Sequence, residues 1–255
     1  MLLPGAAELP VADAIARYRQ DGFGALGAIL EPAALRKRAE QIMLGEVVHP
    51  GLFFQHDSPT GGYDAVPRGK GYTGPSLSYR KIEKLERDPL FLALVENPLF
   101  LRIAREVLGP EVALCRVVLF TKAAQGGTQL PWHQDGGSFW GLSRDPVLQI
   151  WTALDDAPIE SGCLELIPGS HLNGLATPLG GVIPDDVFAR SGNAARAQLI
   201  PARAGESMLL HNHCWHRSGV NRTPSPRRAV TVCYLDAATT CTRKRSPRQF
   251  LRLQG

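Results

Sequence analysis

VALCRVVLF, residues 112–120, is the stretch on which the fold turns. It is short, rich in β-branched residues, and follows the helix stop Gly109, so it reads as a strand. Four later stretches share its texture: VLQIWTAL (147–154), GCLELIP (162–168), ESMLLH (206–211) and RRAVTVCYL (227–235). Turn residues separate them. No internal repeat of roughly 20–50 residues is visible, which argues against a propeller or solenoid. Upstream the chain reads differently. VADAIARYRQDGF (11–23) spaces Val11, Ile15 and Tyr18 about one helical turn apart. EPAALRKRAEQIMLGE (31–46) places proline in a first turn and stops near Gly45. NPLFLRIAREVLG (97–109) has Asn97 as a cap, Pro98 at the first position and Gly109 as the stop. Between these helices, SPTGGYDAVPRGKGYTGPS (58–76) reads as a long loop, of the kind that covers functional sites. Helices followed by many short strands give an α+β, mainly β fold around a β-sandwich or barrel.

The expected organisation is one domain over residues 1–255. About 1–110 is mainly helical with a loop, about 111–240 is the β core, and 241–255 is a basic tail. The length suffices for a substantial core. At 44% hydrophobic and 20% charged, the composition is that of an ordinary globular chain. No run reaches the ~18 apolar residues of a membrane span, and MLLPGAAELP lacks the basic start of a signal peptide. The five cysteines are scattered with no CxxC spacing, so they read as small buried hydrophobes in a reducing cytoplasm. The tail CTRKRSPRQFLRLQG (241–255) carries five basic residues and no acid, enough to account for the whole net charge of +4. No nucleic-acid motif accompanies it, and a solvated tail is expected.

WHQD (132–135) holds the first chemistry. On a strand, His133 and Asp135 point to one face. A further histidine would complete a 2-His-1-carboxylate triad, which binds one side of Fe(II) and leaves the other open. A hydrogen-bonded His–Asp pair is the plainer reading of HxD alone. HNHCWHRSGVNRTPSPRR (211–228) offers His211, His213 and His216 as the third donor. His211 and His213 alternate, so they share a face. Arg227 and Arg228 are adjacent, so only one can point inward.

Three segments together carry a resemblance: WHQD, QIWTALDDAPIESGCLELIPGSH (149–171) and HRSGVNRTPSPRRA (216–229). In order and spacing they resemble the phytanoyl-CoA dioxygenase family of Fe(II)/2-oxoglutarate-dependent oxygenases, from about residue 11 to residue 236. The resemblance implies a double-stranded β-helix, the jelly-roll or cupin-like barrel, with N-terminal helices packed on one sheet. It implies His133, Asp135 and His216 as the catalytic metal ligands. It implies Arg227, eleven positions after His216, and Ser218 on the far carboxylate of 2-oxoglutarate. Trp151 matches a position beside the cosubstrate, with Gln149 and Ala153 on its face. Lys81 or Lys84, with Lys84 preferred, matches a lysine that reaches it, and Arg116 or Val118 would flank it. Arg228 becomes a surface charge or an ion-pair partner. His171 falls in a rim turn, Asp155, Asp156 and Glu160 in a solvated turn, and His49 and His56 in the early loop. The implied cofactors are Fe(II), 2-oxoglutarate and O2, with succinate and CO2 released. Retention of a carboxylate ligand favours hydroxylation over halogenation.

The substrate is less legible. Phe139 and Trp140 are expected as apolar walls of the mouth, with Arg116 and Arg144 as charges. Tyr63, Arg68, Lys70, Tyr72 and Tyr79 are expected in a lid. That mixture suits a small organic acid, amino acid or phosphonate. Partners other than a small molecule are not expected, neither nucleic acid nor membrane, and monomer and homodimer both stand. Two other classes remain: a non-oxidative hydrolase or isomerase on the same metal, and a non-catalytic ligand-binding barrel. The 2-oxoglutarate anchor of Arg227 and Ser218 argues against the first, and an intact triad against the second.

Overall fold

The structure is a computed structural model and describes residues 11–254. The reading of residues 1–10 therefore lies outside it. The chain runs through α1 (Val11–Asp21), β1 (Phe23–Ala28), α2 (Ala33–Leu44), β2 (Phe53–His56) and β3 (Tyr79–Glu83). α3 (Pro89–Val95) and α4 (Pro98–Leu108) follow, then β4 (Val112–Lys122), β5 (Leu130–Gln134), β6 (Leu148–Ala153), β7 (Leu164–Leu166) and β8 (Gly181–Val182). The last elements are α5 (Asp185–Arg190), β9 (Gln198–Ile200), β10 (Glu206–His211), β11 (His216–Ser218), β12 (Arg227–Asp236) and β13 (Leu251–Leu253). The helix signals operate as read. Asn97 caps α4 by accepting from the Leu99 N–H at 2.9 Å, and Gly45 ends α2 with φ at 77°.

Two antiparallel sheets form the jelly roll. The larger runs β1-β10-β6-β12-β4-β3-β2, with β13 also on β4; the smaller runs β8-β5-β11-β7-β9. Alternation decides which side chain faces which layer. On β12, Val230, Val232 and Tyr234 join the helix-side core, while Arg227, Ala229 and Thr231 point to the space between the sheets. β4 does the same only because of a bulge. Cys233 pairs Arg116 and Tyr234 pairs Leu114, so Cys115 is the extra residue. Val112 and Leu114 before the bulge, and Val117 and Leu119 after it, therefore share the helix-side core. Arg116, Phe120 and Lys122 face inward.

The helical layer packs on the larger sheet, as expected: α1, α3 and α4 touch its strands. Phe91, Phe100 and Ile103 share one buried cluster with Val117, Ile150 and Val232. The Tyr234 hydroxyl donates to the Val95 carbonyl at 2.8 Å, tying sheet to helix. The smaller sheet has a thinner cover, Trp132, Ile167, Ile183 and Trp215, with Phe188 of α5 stacked on Trp132.

Two expectations change. Residues 1–110 are not only helix and loop, because β1, β2 and β3 extend the larger sheet. Their sequences, FGALGA, FFQH and YRKIE, are short or glycine-rich, and the neighbouring strands complete their pairing. The basic tail is not free in solvent. A bridge joins Cys241 to Leu142, and β13 pairs residues 112–114 of β4.

Candidate metal centre and cosubstrate pocket

A cavity of about 310 Å³ lies between the sheets. His133 on β5 and His216 on β11 are register partners, and their ring centroids stand 3.9 Å apart. Asp135 lies just past β5, where its N–H donates to the Asn212 carbonyl at 2.8 Å. The two glycines that follow turn the chain sharply. Gly137 has φ at 84°, and a Cβ there would meet the Leu179 carbonyl at 2.5 Å. One donor atom from each of His133, Asp135 and His216 lies within 4.8 Å of the others.

Protonation is arranged for a cation. Each histidine places Nδ1 at 2.9 Å from the carbonyl two residues earlier, Pro131 for His133 and Cys214 for His216. A carbonyl only accepts, so Nδ1 carries a hydrogen and Nε2 is the ring nitrogen left to face a metal. Burial, then the neighbouring His216, lowers the His133 pKa to about 3, so the ring is neutral at pH 7. Burial alone would raise the Asp135 carboxyl. Arg116, the two imidazoles and Gln149 outweigh it and hold the group well below the usual carboxylate range. Gln149 donates to Oδ2 at 2.8 Å, and the Arg116 guanidinium stands 3.3 Å from Oδ1. Two imidazole nitrogens and one carboxylate oxygen, with a cavity beside them, fit Fe(II).

The same cavity fits a dianion. Arg227, only 3% exposed, donates from Nη2 to the Gly162 carbonyl at 2.6 Å, while its buried Nε has no partner. Burial lowers its pKa to about 10, which leaves it charged at neutral pH. Ser218 and Trp151 line the cavity beside it. Lys122, which the sequence reading did not single out, lines it too. Burial, then Arg227, pushes the Lys122 pKa well down. Neither side chain makes an ion pair among the described residues. A carboxylate in that space would supply the missing acceptor.

Other candidates are redistributed. Lys81, not Lys84, borders the cavity. β3 ends at Glu83, and Lys84 turns out of the strand at φ 67° onto the surface. Val118 shares the inward parity of Arg116 but is fully buried and does not border the cavity. Phe139 and Arg116 do border it, while Trp140 lies beyond, with the Arg116 guanidinium 4.1 Å over its ring. Of the expected lid, only Tyr63 reaches the cavity. Tyr79 is buried and bonded to Gly74 at 2.8 Å, and Tyr72 packs on Phe54. Arg144 pairs with Asp236 at 2.9 Å, away from the mouth. Asp155 is not a solvated turn residue: it takes the Arg228 guanidinium at 2.7 Å. His211 and His213 stand apart from the triad, and His213 meets Asp145 at 3.0 Å. His171 contacts the Arg19 carbonyl, His49 pairs with Asp88, and His56 bonds Thr73.

A jelly roll whose inter-sheet cavity is lined by a His–Asp–His cluster and a buried arginine defines a class, the cupin-like barrels with a candidate mononuclear metal site beside an anion pocket. Comparison narrows it. The phytanoyl-CoA dioxygenase (PhyH) model matches residues 18–229, and the chain belongs to that family. Phytanoyl-CoA dioxygenase domain-containing protein 1 of Mus musculus is 30% identical over 183 residues, covering 68% of this chain and 62% of that protein. The chain thus spans less than two thirds of that relative. L-proline trans-4-hydroxylase of Streptomyces griseoviridis is 26% identical over 254 residues, covering 90% and 88%. Among solved structures, the epimerase SnoN in complex with Fe3+, alpha ketoglutarate and nogalamycin RO matches with TM-score 0.70 at 20% identity, covering 96% of each chain. Among the described residues no helix is long and apolar enough to cross a membrane.

Proposed function

We propose that the protein is an Fe(II)- and 2-oxoglutarate-dependent dioxygenase that hydroxylates a C–H bond of a small organic substrate, releasing succinate and CO2. One observation carries the reading: the His133–Asp135–His216 cluster and Arg227, whose buried Nε has no partner, line the same cavity. Family membership supports it. Bound iron supplies oxidative decarboxylation of 2-oxoglutarate by O2, which provides the oxidant for a C–H bond. The chain's own residues do the rest. His133 and His216 present their Nε2 atoms as donors, and Asp135 supplies the single negative charge. Gln149 and Arg116 fix that carboxylate's orientation. Arg227 receives the far carboxylate of 2-oxoglutarate, with Ser218 as a hydroxyl donor and Trp151 as a flat wall. Phe139 and Arg116, at the edge of the cavity, meet the incoming substrate and limit water entry.

The test is spectroscopic and chemical. Anaerobic protein given Fe(II) and 2-oxoglutarate should develop a weak visible charge-transfer band, and His216→Ala should lose it. Arg227→Ala should raise the KM for 2-oxoglutarate about 30-fold or more, the cost of unpairing a buried charge. Succinate release should accompany a product that gains one oxygen atom. An isomer of unchanged mass would instead point to epimerisation, the activity named for SnoN. Absence of both band and succinate overturns the reading.

A further inference from the structure

We infer that the C-terminal segment 241–253 walls a second compartment of the site, a vestibule that binds the substrate by a carboxylate or phosphate group carried on an apolar body. This rests on the reading of the inner cavity as the oxidising site. The vestibule, about 620 Å³, borders the inner cavity and shares Lys81, Arg116 and Phe139 with it. Arg116 joins the two directly, because one end of its guanidinium reaches Asp135 and its face covers Trp140. The outer wall is Arg243, Arg248 and Phe250. They are held in place through backbone. The Thr242 N–H donates to the Gly141 carbonyl at 2.9 Å. Arg243 donates to the Phe139 carbonyl and Arg248 to the Trp140 carbonyl, each at 2.9 Å.

Those contacts position the guanidinium groups without neutralising them. Six cations line the vestibule (Lys81, Lys84, Arg87, Arg116, Arg243 and Arg248) against the carboxylates of Glu83 and Glu86. Lys81 is spent on Glu83 at 2.5 Å, and Arg116 on Glu83 and Asp135. Burial pushes the Glu86 carboxyl up, which thins the negative side further. Arg243, Arg248, Lys84 and Arg87 make no ion pair among the described residues. The Nε atoms of Arg248 and Arg116 are buried and have no acceptor. Buried N–H groups are rarely left so, and a guanidinium fork matches a carboxylate or phosphate. Trp140, Phe139 and Phe250 supply the apolar surface for the body behind that group.

Calorimetric titration of the full chain tests this, with 3-phenylpropionate, phenyl phosphate and the uncharged 3-phenylpropionamide as probes. Each is titrated into metal-free protein and into protein holding Fe(II) and 2-oxoglutarate without oxygen. At least one anion should bind about tenfold or more tightly than the amide, the worth of one charged hydrogen bond; which of the two wins separates carboxylate from phosphate. Arg248→Gln should abolish that preference, Arg248→Lys should keep most of it, and Arg227→Gln should leave it intact. Equal binding of all three probes overturns the proposal. So does a preference that survives Arg248→Gln and disappears in Arg227→Gln. In that case the anion sits at the inner anchor and the cosubstrate reading still stands.

Discussion

The larger sheet is backed by a helical layer, and its buried cluster runs without a break from Phe91 and Phe100 through Val117 to Val232. The smaller sheet is backed by four buried side chains and one short helix. Yet the two histidines of the candidate metal cluster sit on the smaller sheet, on β5 and β11. The groups that hold Asp135 and line the anion pocket come from the larger one: Arg116 and Lys122 on β4, Gln149 on β6, Arg227 on β12. The difference teaches where the two kinds of constraint reside. Register pairing aligns the two histidines locally, while the charge and orientation of Asp135 are imposed across the cavity by the better-anchored layer.

Core truncation would break this comparison most sharply. Phe100→Ala empties a fully buried site under the larger sheet and should cost about 3–5 kcal/mol. Phe188→Ala, over the half-covered outer face of the smaller sheet, should cost about 1 kcal/mol. Urea unfolding midpoints at constant slope measure both. Equal losses would mean that the two layers are equally anchored.

A smaller effect sharpens it. Gln149→Met keeps the side-chain volume on β6 but removes the donor to Asp135 Oδ2. Metal affinity should fall about 10–100-fold, as for other groups that orient a ligand. A Co(II) titration followed by its visible bands reads this directly. Unchanged affinity would show that the smaller sheet orients Asp135 alone.

How much of this was legible follows from the same physics. The convergence of His133, Asp135, His216 and Arg227 on one cavity was, because HxD places two donors on one face and the spacing from His216 to Arg227 matches a family pattern. Asn97, Pro98 and Gly109 marked α4 because caps act locally. Lys122 was missed because VALCRVVLFTK is apolar at most positions before it, so no alternation reveals the inward face. The bulge at Cys115 then resets the parity, which only the pairing with β12 discloses. The choice between Lys81 and Lys84 depended on where β3 ends, a matter of one turn. The tail read as solvated because its charge pattern is that of a solvated segment. Its anchors are carbonyls of Phe139, Trp140 and Gly141, and backbone carbonyls leave no trace in composition.

The smallest expected effect lies at the seam between the sheets. His211 ends β10, its ring stacks on Tyr18, and it stands 4.8 Å from His171, in the turn that follows β7. Burial, then His171 and His213, lowers its pKa to about 3. The folded ring is therefore neutral across the range in which the unfolded ring, at about 6.5, takes up a proton. Its contribution is complete above pH 6.5 and drains away as pH falls toward 3, because the unfolded state binds a proton that the folded state refuses. For one such histidine the loss between pH 7 and pH 6 is about 0.7 kcal/mol. His133 adds a term of the same sign, so the measurement must be a difference: metal-free protein, denaturant unfolding at several pH values, with and without His211→Asn. The substitution should flatten the slope between pH 6.5 and 5 by up to about one proton, while carboxylate effects enter at lower pH. An unchanged slope would mean that water reaches the ring in the folded state. The thin side of the molecule would then begin at β10 rather than at β11.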